Sequence, residues 1–356
     1  MHGQSLGLKT IAIIEAKCEG FYGLGEAYVG IYIPEFTIQI VDHIIKSFRG
    51  LDIEQALSKI EVFKLPFVSN AGIYKSIIGA IEISLFDLKA RIKQVPLYKL
   101  FSEEAYLPKL YASGGSVITT IDDLHNDLAL VSKHEITAFK LRVGKQKWEA
   151  DLDRIKFVRD EMPNSAVMVD AISGTREPVW SFEESLLKFK DLEQFNLTWL
   201  EEPLSPELLD KYVELKKSLN IPLAAGEAYS SKTEYFGLIE YSNIDIVQFD
   251  VTHSGGINIV KEVYEMSHKK RKKTAFHVWG SLIAQMANFH LALSMRDVFY
   301  FEVPLLELEI NDYLISSDDK IFDLVKKIPT ESGLGLSLDK ETISKFQYVQ
   351  GTEYKW

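Results

Sequence analysis

Short apolar runs alternate with amphipathic segments along most of the chain, from Thr137 to Glu302. Each apolar run, such as TAFKLR or IDIVQFD, has the length of a buried strand, and the segments between them, such as WEADLDRIKFVRDEM, have helical spacing. This alternation is typical of βαβ units that build a parallel sheet. Because it continues without a break over many units, the pattern predicts a closed (β/α) barrel.

Each of these predicted strands ends on an ionisable residue. In a barrel of parallel strands the carboxyl ends meet at one mouth, so these residues are expected to converge there. They are Lys140 with Arg142, Asp170, Glu201, Glu227, Asp250, His277 and Glu302. Ser113 ends the first predicted barrel strand, YLPKLYAS, and would lie at the same mouth, although loops often favour serine for local reasons alone.

Three carboxylates, Asp170, Glu201 and Glu227, end three consecutive predicted strands. Any one of them could form an ordinary ion pair, but three like charges placed together repel one another unless a cation lies between them. A set of oxygen ligands suits Mg²⁺, with Mn²⁺ as the nearest substitute, and does not suit zinc. Lys140 and Arg142 could supply part of the positive charge, so the sequence favours a metal without requiring one.

A carboxylate and an imidazole, Asp250 and His277, end two adjacent predicted strands, and we expect them across the mouth from the three acids. The carboxylate would fix the tautomer of the ring and stabilise its protonated form, which makes His277 a competent general acid or base. A single histidine after a strand is more often structural, so the acid on the preceding strand is what favours a catalytic pair. His253, in the loop that follows Asp250, is a weaker candidate.

Lys140 and Arg142 stand two positions apart on one predicted strand and therefore share a face. That face points into the lumen if the apolar Phe139 and Leu141 point towards the helices. Two cations inside a lumen need anions, which the carboxylates of the metal site or an anionic substrate would supply.

The two ends of the chain predict a second domain. Residues 8–29 have the pattern of a β-hairpin, with residues 21–23 as its turn and Gly23 and Gly25 as turn residues. Residues 36–101 have a helical pattern, with a core-facing helix over 75–94. After Glu302 the chain is polar, and the loop 329–339 is expected to return to the first domain. We predict an α+β capping domain over 1–105, a barrel over 106–318 and a C-terminal return over 319–356.

The composition of the 356 residues excludes several classes of function. A net charge of −11 argues against nucleic acid as the main partner, and the basic run at 268–273 is explained by the end of a helix. Because Cys18 is the only cysteine, an intrachain disulfide and a cysteine-based metal site are excluded. No apolar run is long enough for a transmembrane helix and no signal-peptide layout is visible, so we expect a cytoplasmic protein.

Several longer motifs cover nearly the whole chain: GLGEA, AIEISLFDLKARIKQVPLYKL, AFKLRVG, VMVDA, WLEEP, AAGEA, SGGI, AFHVWGS and PTESGLGLSLD. Together they resemble the enolase superfamily, of the mandelate racemase and muconate lactonizing enzyme type. The resemblance implies an α/β fold, a modified (β/α)₇β TIM-type barrel with an α+β capping domain built from both chain termini. It also implies a small-molecule carboxylate substrate and a homo-oligomer.

The resemblance further implies a role for each charged residue at the mouth. These roles are Mg²⁺ binding for Asp170, Glu201 and Glu227, acid–base catalysis on one face of the substrate for Asp250 and His277, charged contacts on the opposite face for Lys140 and Arg142, and a hydrogen bond to the substrate carboxylate for Glu302. The shared step of the family is removal of a proton α to a carboxylate, with the enediolate held by the metal. A hard cation and fixed donors suit the charge that develops in this step.

Three departures from the family pattern bear on the reaction. Arg142 occupies a position where the family usually has a lysine base, and arginine stays protonated at any ordinary pH. Ile172 stands where many relatives have asparagine, which removes a polar contact near the metal. The chain also starts late, so the first strand and the lid loop of the capping domain are expected to be absent.

These observations favour dehydration of an acid sugar, an aldonate or aldarate, to a 2-keto-3-deoxy acid. His277 alone could take the α-proton and protonate the leaving hydroxyl in a syn elimination, whereas racemisation would need a base on the opposite face, a role left to Lys140. The alternatives are a racemase, epimerase or cycloisomerase of a carboxylate or sugar lactone, and a vestigial member that only binds a metal and a ligand. Substrate choice would depend on the loop that carries Tyr28 and Tyr32.

Overall fold

The computed structural model describes residues 10–65, 71–174, 179–306, 308–317 and 319–350. Residues 1–9 lie outside the described residues, and with them the predicted start of the hairpin and the predicted absence of a first strand and lid loop. The end of the predicted C-terminal return, residues 351–356, also lies outside them.

The described residues form ten β-strands and twelve α-helices. The strands are β1 (Ala12–Cys18), β2 (Phe21–Ala27), β3 (Leu110–Ser113), β4 (Ala138–Arg142), β5 (Ala166–Asp170), β6 (Trp199–Glu201), β7 (Leu223–Ala225), β8 (Ile246–Phe249), β9 (Lys273–Phe276) and β10 (Val298–Pro304). The helices are α1 (Pro34–Ile45), α2 (Ile53–Val62), α3 (Ile73–Ile92), α4 (Ile121–Lys133), α5 (Trp148–Glu161), α6 (Phe182–Asp191), α7 (Leu209–Ser218), α8 (Lys232–Tyr241), α9 (Ile257–Lys269), α10 (Leu282–Leu293), α11 (Ile321–Leu324) and α12 (Lys340–Lys345).

Strands β3 to β10 form a closed barrel of eight parallel strands, in the order β10-β3-β4-β5-β6-β7-β8-β9. An α-helix follows each of the first seven barrel strands, from α4 after β3 to α10 after β9. The predicted (β/α)₇β architecture is therefore confirmed. Strands β1 and β2 form a separate antiparallel hairpin that packs on α3. Within the described ranges, no helix combines the length and apolar character needed to cross a lipid bilayer.

The register of the barrel strands places charged residues side by side at the mouth. Arg142 on β4 pairs with Asp170 on β5, which pairs in turn with Glu201 on β6. Phe139 and Leu141, which alternate with the charged residues of β4, are fully buried in the core cluster outside the lumen. The predicted orientation of this strand is thus the one observed.

Apolar side chains fill the lumen beneath the mouth. The rings of Tyr111 and Trp199 meet edge to face at a centroid distance of 5.4 Å, in one buried cluster with Met168, Ala224 and Ile246. A lumen packed in this way is a core and not a channel. A substrate therefore has to approach from the mouth.

The hairpin turn is not where the sequence pattern predicts it. The turn is formed by Glu19 and Gly20, both with positive φ, and residues 21–23 already belong to β2. Gly23 and Gly25 lie inside this strand, where added Cβ atoms would come within 2.1 and 2.0 Å of backbone carbonyl oxygens of α3. These two glycines allow the helix to lie directly on the strand, so their prediction as turn residues is wrong.

The predicted core-facing helix is α3. Its apolar positions are buried as expected: Ile77, Ile78, Ile81, Leu85 and Leu88. The opposite side of α3 is also buried, and it includes the carboxyl groups of Glu82 and Asp87. A buried carboxyl group needs hydrogen-bond partners, and both residues find them in distant parts of the chain.

Asp87 joins three parts of the chain. Its carboxylate accepts hydrogen bonds from the backbone N–H groups of Leu24 on β2 and Leu334 in the C-terminal loop, both at 2.7 Å, and from Arg91 at 3.0 Å. Next to it, Gly333 exchanges backbone hydrogen bonds with the segment that follows α3. The C-terminal loop thus packs on the N-terminal part of the chain as expected, while the domain boundaries stay a prediction.

Two further buried carboxyl groups tie the N-terminal part to the barrel. Glu26 on β2 accepts hydrogen bonds from the backbone N–H of Ser281, at 3.1 Å, and from its hydroxyl. Glu82 accepts them from the backbone N–H and the side-chain amide of Asn258, at 3.2 and 2.9 Å. Burial raises the pKa of both carboxyl groups to about 7, and the hydrogen bonds oppose this effect only in part.

The free energy of unfolding is expected to fall as the pH rises from 4.5 to about 7. In this window the folded protein keeps protons on Glu26 and Glu82 that the unfolded chain has released, so their stabilising contribution is complete below pH 4.5 and is lost through pH 7. The loss is on the order of 3 kcal/mol per group, since the pKa of each rises from 4.5 to about 7. Urea unfolding across this range should give a flatter profile for a Glu26→Gln, Glu82→Gln double variant. The exposed Glu54→Gln serves as control, and equal slopes in the double variant and the wild type would contradict the prediction.

Candidate active site

The charged residues predicted at the mouth lie there, at different positions relative to their strands. Ser113, Arg142, Asp170 and Glu201 are the last residues of β3, β4, β5 and β6. Asp250 and His277 directly follow β8 and β9, Glu227 lies two residues beyond β7, and Lys140 and Glu302 lie within β4 and β10. The strand-end pattern therefore places the charges correctly to within two residues.

Asp170, Glu201 and Glu227, here called the acidic triad, each offer a carboxylate oxygen, and these three atoms lie within 4.8 Å of one another. The indole N–H of Trp199, two residues before Glu201 on the same face of β6, donates a hydrogen bond to Glu201 at 2.8 Å. The backbone N–H of Ile172 donates to Asp170, also at 2.8 Å. Three hard oxygen donors held in this way fit Mg²⁺.

The electrostatics of the acidic triad favour a bound cation. Burial raises the pKa of Asp170 to about 6, with Glu201 adding to the effect, and burial raises that of Glu227 well above its usual range. All three groups can ionise together at neutral pH only if positive charge balances them. A divalent cation between the three oxygens would do so.

Lys140 is fully buried among carboxylates. Its ammonium group lies 2.5 Å from Glu201, 3.2 Å from Glu302 and 3.9 Å from Asp170, and 5.5 Å from the ring centroid of Tyr111 below it. Burial alone would lower the pKa of Lys140, but the surrounding carboxylates outweigh it and raise the pKa. The contacts with three carboxylates therefore favour a charged ammonium group at this position.

Arg142 reaches further into the mouth than Lys140. Its Nε lies 3.5 Å from the carboxylate of Asp170, its Nη2 donates to Ser113 Oγ at 3.2 Å, and the guanidinium lies 6.0 Å from the ring centroid of Trp279. About a fifth of the side chain is exposed, which leaves donors for a ligand. This geometry agrees with the expectation that Arg142 supplies charge and not a base.

The ring of His277 lies between the carboxylates of Asp250 and Glu227. His277 Nδ1 lies 3.1 Å from Asp250 Oδ2, and its Nε2 lies 3.6 Å from Glu227 Oε2. The pair of Asp250 and His277 thus borders the acidic triad, instead of facing it across the mouth as the sequence analysis expects. Burial lowers the pKa of His277, but Glu227 and the hydrogen bond to Asp250 outweigh it and raise the pKa to about 10.

Binding of Mg²⁺ is expected to lower the pKa of His277 from about 10 towards its ordinary value of 6.5, because the cation neutralises Glu227, the strongest of the groups that raise it. An NMR titration of the ring with and without Mg²⁺, assigned with His277→Asn, measures the change. Glu227→Gln should remove the metal-induced shift. An unchanged titration in saturating Mg²⁺ would show that the metal does not bind beside His277.

Glu302 uses both carboxylate oxygens inside the protein. Oε1 faces Lys140, and Oε2 accepts a hydrogen bond from the backbone N–H of Val278 at 2.8 Å. Burial would raise the pKa of Glu302, but Lys140, His277 and Arg142 lower it to about 2. The predicted hydrogen bond from Glu302 to a substrate carboxylate would need a proton on Glu302, so it stays a prediction. The contacts observed hold Lys140 and the loop after His277 in place.

Aromatic residues of the N-terminal part lie over this site. The ring of Tyr28 lies 4.8 Å from that of His253 and 6.3 Å from that of His277, and its hydroxyl is 3.4 Å from that of Tyr32. Burial raises the pKa of Tyr28 well above its usual range, so its phenol stays neutral. The structure therefore places Tyr28, with Tyr32 beside it, within reach of a ligand on His277.

Three further residues of the site, Trp199, Trp279 and Asn288, stand outside the strand-end pattern of the sequence. Trp199 could have been found, because strand alternation puts it on the same face as Glu201. Asn288 on α10 donates a hydrogen bond to Asp250 at 2.8 Å, and nothing in the local sequence indicates this contact.

The backbone of Ile172 is strained. It has a φ of 43°, a left-handed conformation that asparagine tolerates and a β-branched residue does not. Ile172→Asn should therefore raise the free energy of unfolding by about 1 kcal/mol, measured by urea denaturation. Ile172→Val, which keeps the branched side chain, should bring no gain. A gain of equal size in both variants would show that φ is not the cause.

Comparison with known proteins agrees with this fold. A family model described as Enolase C-terminal domain-like matches residues 124–342. The L-talarate/galactarate dehydratase of Salmonella typhimurium strain LT2 is 28% identical in an alignment of 353 residues. The alignment covers 95% of this chain and 83% of that protein.

Solved structures show the same architecture. The 3,6-anhydro-D-galactonate cycloisomerase from Zobellia galactanivorans gives a TM-score of 0.82 at 24% identity, covering 94% of this chain and 93% of that one. A racemase from Streptomyces coelicolor A3(2) with bound magnesium gives 0.81 at 21% identity, covering 94% and 91%. These likenesses show the fold, and the family model spans more than half of the 356 residues. The chain belongs to the enolase C-terminal domain-like family, as the resemblance of its motifs indicated.

Proposed function

We propose that this protein dehydrates an acid sugar, an aldonate or aldarate, to a 2-keto-3-deoxy acid with the help of Mg²⁺. The observation that carries the proposal is the contrast between the two sides of the mouth. On one side His277 is oriented by Asp250 and lies beside the acidic triad, whereas on the other side Lys140 and Arg142 are held in ion pairs with carboxylates. The likeness to a dehydratase of talarate and galactarate supports the choice of substrate class.

Asp170, Glu201 and Glu227 would hold the Mg²⁺, which supplies positive charge to the substrate carboxylate when bound. The chain's own cations complete this environment. Lys140 neutralises Glu201 and Glu302 from below, and Arg142 directs its exposed edge into the mouth. Negative charge that develops on the substrate carboxylate therefore meets preorganised positive charge.

His277 would carry out both proton transfers on one face of the sugar. Nε2 of the neutral ring takes the proton from the α-carbon, and the electron pair of the broken C–H bond forms the double bond as the β-hydroxyl leaves. The leaving hydroxyl takes the proton back from Nε2 and departs as water, and the enol then ketonises. Asp250 stabilises the imidazolium between the two transfers.

A second candidate is cycloisomerisation of an acid sugar, which the likeness to a 3,6-anhydro-alpha-L-galactonate cycloisomerase of Streptomyces coelicolor, 24% identical over 281 residues, supports. Cycloisomerisation can also proceed with one acid–base group on one face of the substrate. A racemase or epimerase would need a second base, and the contacts of Lys140 with three carboxylates disfavour it in that role.

We extend the proposal to details that follow from the same site. Mn²⁺ is expected to replace Mg²⁺, because it accepts the same hard oxygen ligands. Tyr28, Tyr32 and Ser113 are proposed to contact the substrate, since they border His277 or Arg142. A cytoplasmic location is inferred from the single cysteine. A homo-oligomer is inferred from the family.

The test is a screen of acid sugars with Mg²⁺ that detects 2-keto-3-deoxy acids, with Glu227→Gln as the control for metal dependence. A product formed by the wild type and lost in Glu227→Gln would establish the dehydratase. Isomerisation without loss of water would establish the cycloisomerase instead. If neither product forms and no α-proton exchanges in deuterated water, the proposal fails and a vestigial binding role is left.

A further inference from the structure

We propose that Asn288, on α10, is a positioning residue that fixes the orientation of Asp250 and through it the ring of His277. Asn288 lies outside the strand-end pattern and does not reach the mouth. The effect expected on turnover rests on the proposed function, whereas the effect expected on the ring of His277 does not.

The orientation of the Asn288 amide is fixed by its surroundings. Its Oδ1 accepts a hydrogen bond from the backbone N–H of Val251 at 2.9 Å, and its Nδ2 donates to Asp250 Oδ1 at 2.8 Å and to the carbonyl of Ala284 at 3.1 Å. A backbone N–H can only donate, so the oxygen of the amide has to face Val251 and the nitrogen has to face Asp250. A flipped amide would lose all three bonds.

The two carboxylate oxygens of Asp250 have different hydrogen-bond partners. Oδ1 accepts from the backbone N–H of Thr252 at 2.9 Å, from its hydroxyl at 2.7 Å and from Asn288 at 2.8 Å. Three donors saturate this oxygen, and Oδ2 is left to face His277 Nδ1 at 3.1 Å. Rotation of the carboxylate would break these bonds, so the proton on Nδ1 is held and Nε2 is directed towards the site.

Asn288 is fully enclosed in the protein. All residues of α10 are buried, and a polar side chain in such a helix lowers stability unless it is hydrogen-bonded. Its three hydrogen bonds meet this need, and leucine here would leave the backbone N–H of Val251 without its acceptor. The start of the helix is itself anchored, because Ser281, its N-cap residue, is bonded to Glu26 of the N-terminal part. Asn288 is therefore held firmly while it orients Asp250.

The experiment compares Asn288→Leu and Asn288→Asp with the wild type in saturating Mg²⁺. Leucine removes the donor. Aspartate keeps an oxygen for Val251 and can donate to Asp250 only when its new carboxyl group is protonated. His290→Gln is the matched control, because His290 is a buried polar residue of the same helix that accepts from Tyr98 and not from the Asp250 region. Thr252→Val tests a second donor if Asn288→Leu does not fold.

The first readout is the NMR signal of the His277 Nδ1 proton, assigned with His277→Asn, and it needs no substrate. We expect exchange of this proton with water to be at least about tenfold faster in Asn288→Leu and unchanged in His290→Gln. The titratable groups that interact with Asp250 and influence the signal are His277, His253, Glu26, Tyr28 and Tyr235. An exchange rate equal to that of the wild type in both Asn288 variants would overturn the proposal, whatever the screen of substrates yields.

The second readout is the kinetics on the substrate that the screen identifies. Asn288→Leu should lower kcat by about 10- to 100-fold with KM changed less than about threefold, because substrate contacts are untouched. Asn288→Asp should regain activity as the pH falls, when its carboxyl group becomes a donor to Asp250. A loss in Asn288→Asp that is the same at every pH and is matched by His290→Gln would show that only packing was disturbed.

Discussion

Replacing His277 with asparagine is expected to lower kcat by about 10²- to 10⁴-fold, the range that a general acid–base group contributes. Lys140 and Arg142 are paired with carboxylates and the phenol of Tyr28 stays neutral, so none of these three neighbours is placed to replace the ring. The pairing of His277 with Asp250 is lost in the variant, while the carboxylates of the acidic triad are retained. The enzyme should therefore bind its substrate and fail to convert it.

The measurement is kcat on the acid sugar found in the screen, together with calorimetric titration of Mg²⁺. Affinity for Mg²⁺ should be kept or raised, because the variant removes a positive ring 3.6 Å from Glu227. His253→Asn is the matched control, since its ring also contacts Tyr28, whereas the ring that faces the Asp250 carboxylate is that of His277. Dehydration at the wild-type rate in His277→Asn would assign the proton transfer to another group and refute the mechanism.

Replacing Lys140 with methionine is expected to reduce the free energy of unfolding by about 3–5 kcal/mol when no divalent cation is present, the usual cost of removing one partner from a buried ion pair. The variant leaves Glu201, Glu302 and Asp170 without their shared ammonium group, in a site that water barely reaches. Part of the cost falls away at lower pH, because the carboxylates can then take up protons.

Mg²⁺ should restore much of this stability, because a cation in the acidic triad again balances the carboxylates. The increase in the urea midpoint on adding Mg²⁺ should thus be larger for Lys140→Met than for the wild type. Lys156→Met, which removes an exposed ion pair with Asp160, should change stability by less than about 1 kcal/mol. If Lys140→Met is as stable as the wild type without metal, the carboxylates do not depend on Lys140 for their charge balance.

The barrel and its charged mouth could be predicted from the sequence because their signals are local and repeated. Each strand is a short apolar run, and the parallel arrangement brings all the strand ends to one side. This rule predicts the positions of Arg142, Asp170 and Glu201, which the strand register places side by side. The helix α3 was also visible, since its apolar spacing is regular.

Features that depend on distant contacts could not be predicted in the same way. A glycine pair near a hairpin predicts a turn, and only the presence of α3 against Gly23 and Gly25 shows that they serve close packing. Within the site, the sequence could not show that three carboxylates surround the ammonium group of Lys140. The contact of Asn288 with Asp250 joins residues 38 positions apart and has no periodic signal.

The hydrogen bonds of Asp87, which join β2, α3 and the C-terminal loop, cannot all form at the same stage of synthesis of the chain. Its bond to Leu334 spans 247 residues, so this partner leaves the ribosome only after all eight barrel strands have been made. The hairpin and α3 emerge first, and until then one donor of the Asp87 carboxylate is missing. The contacts of Asp87 are thus completed only after the barrel strands have been made, although the hairpin and α3 precede those strands in the chain.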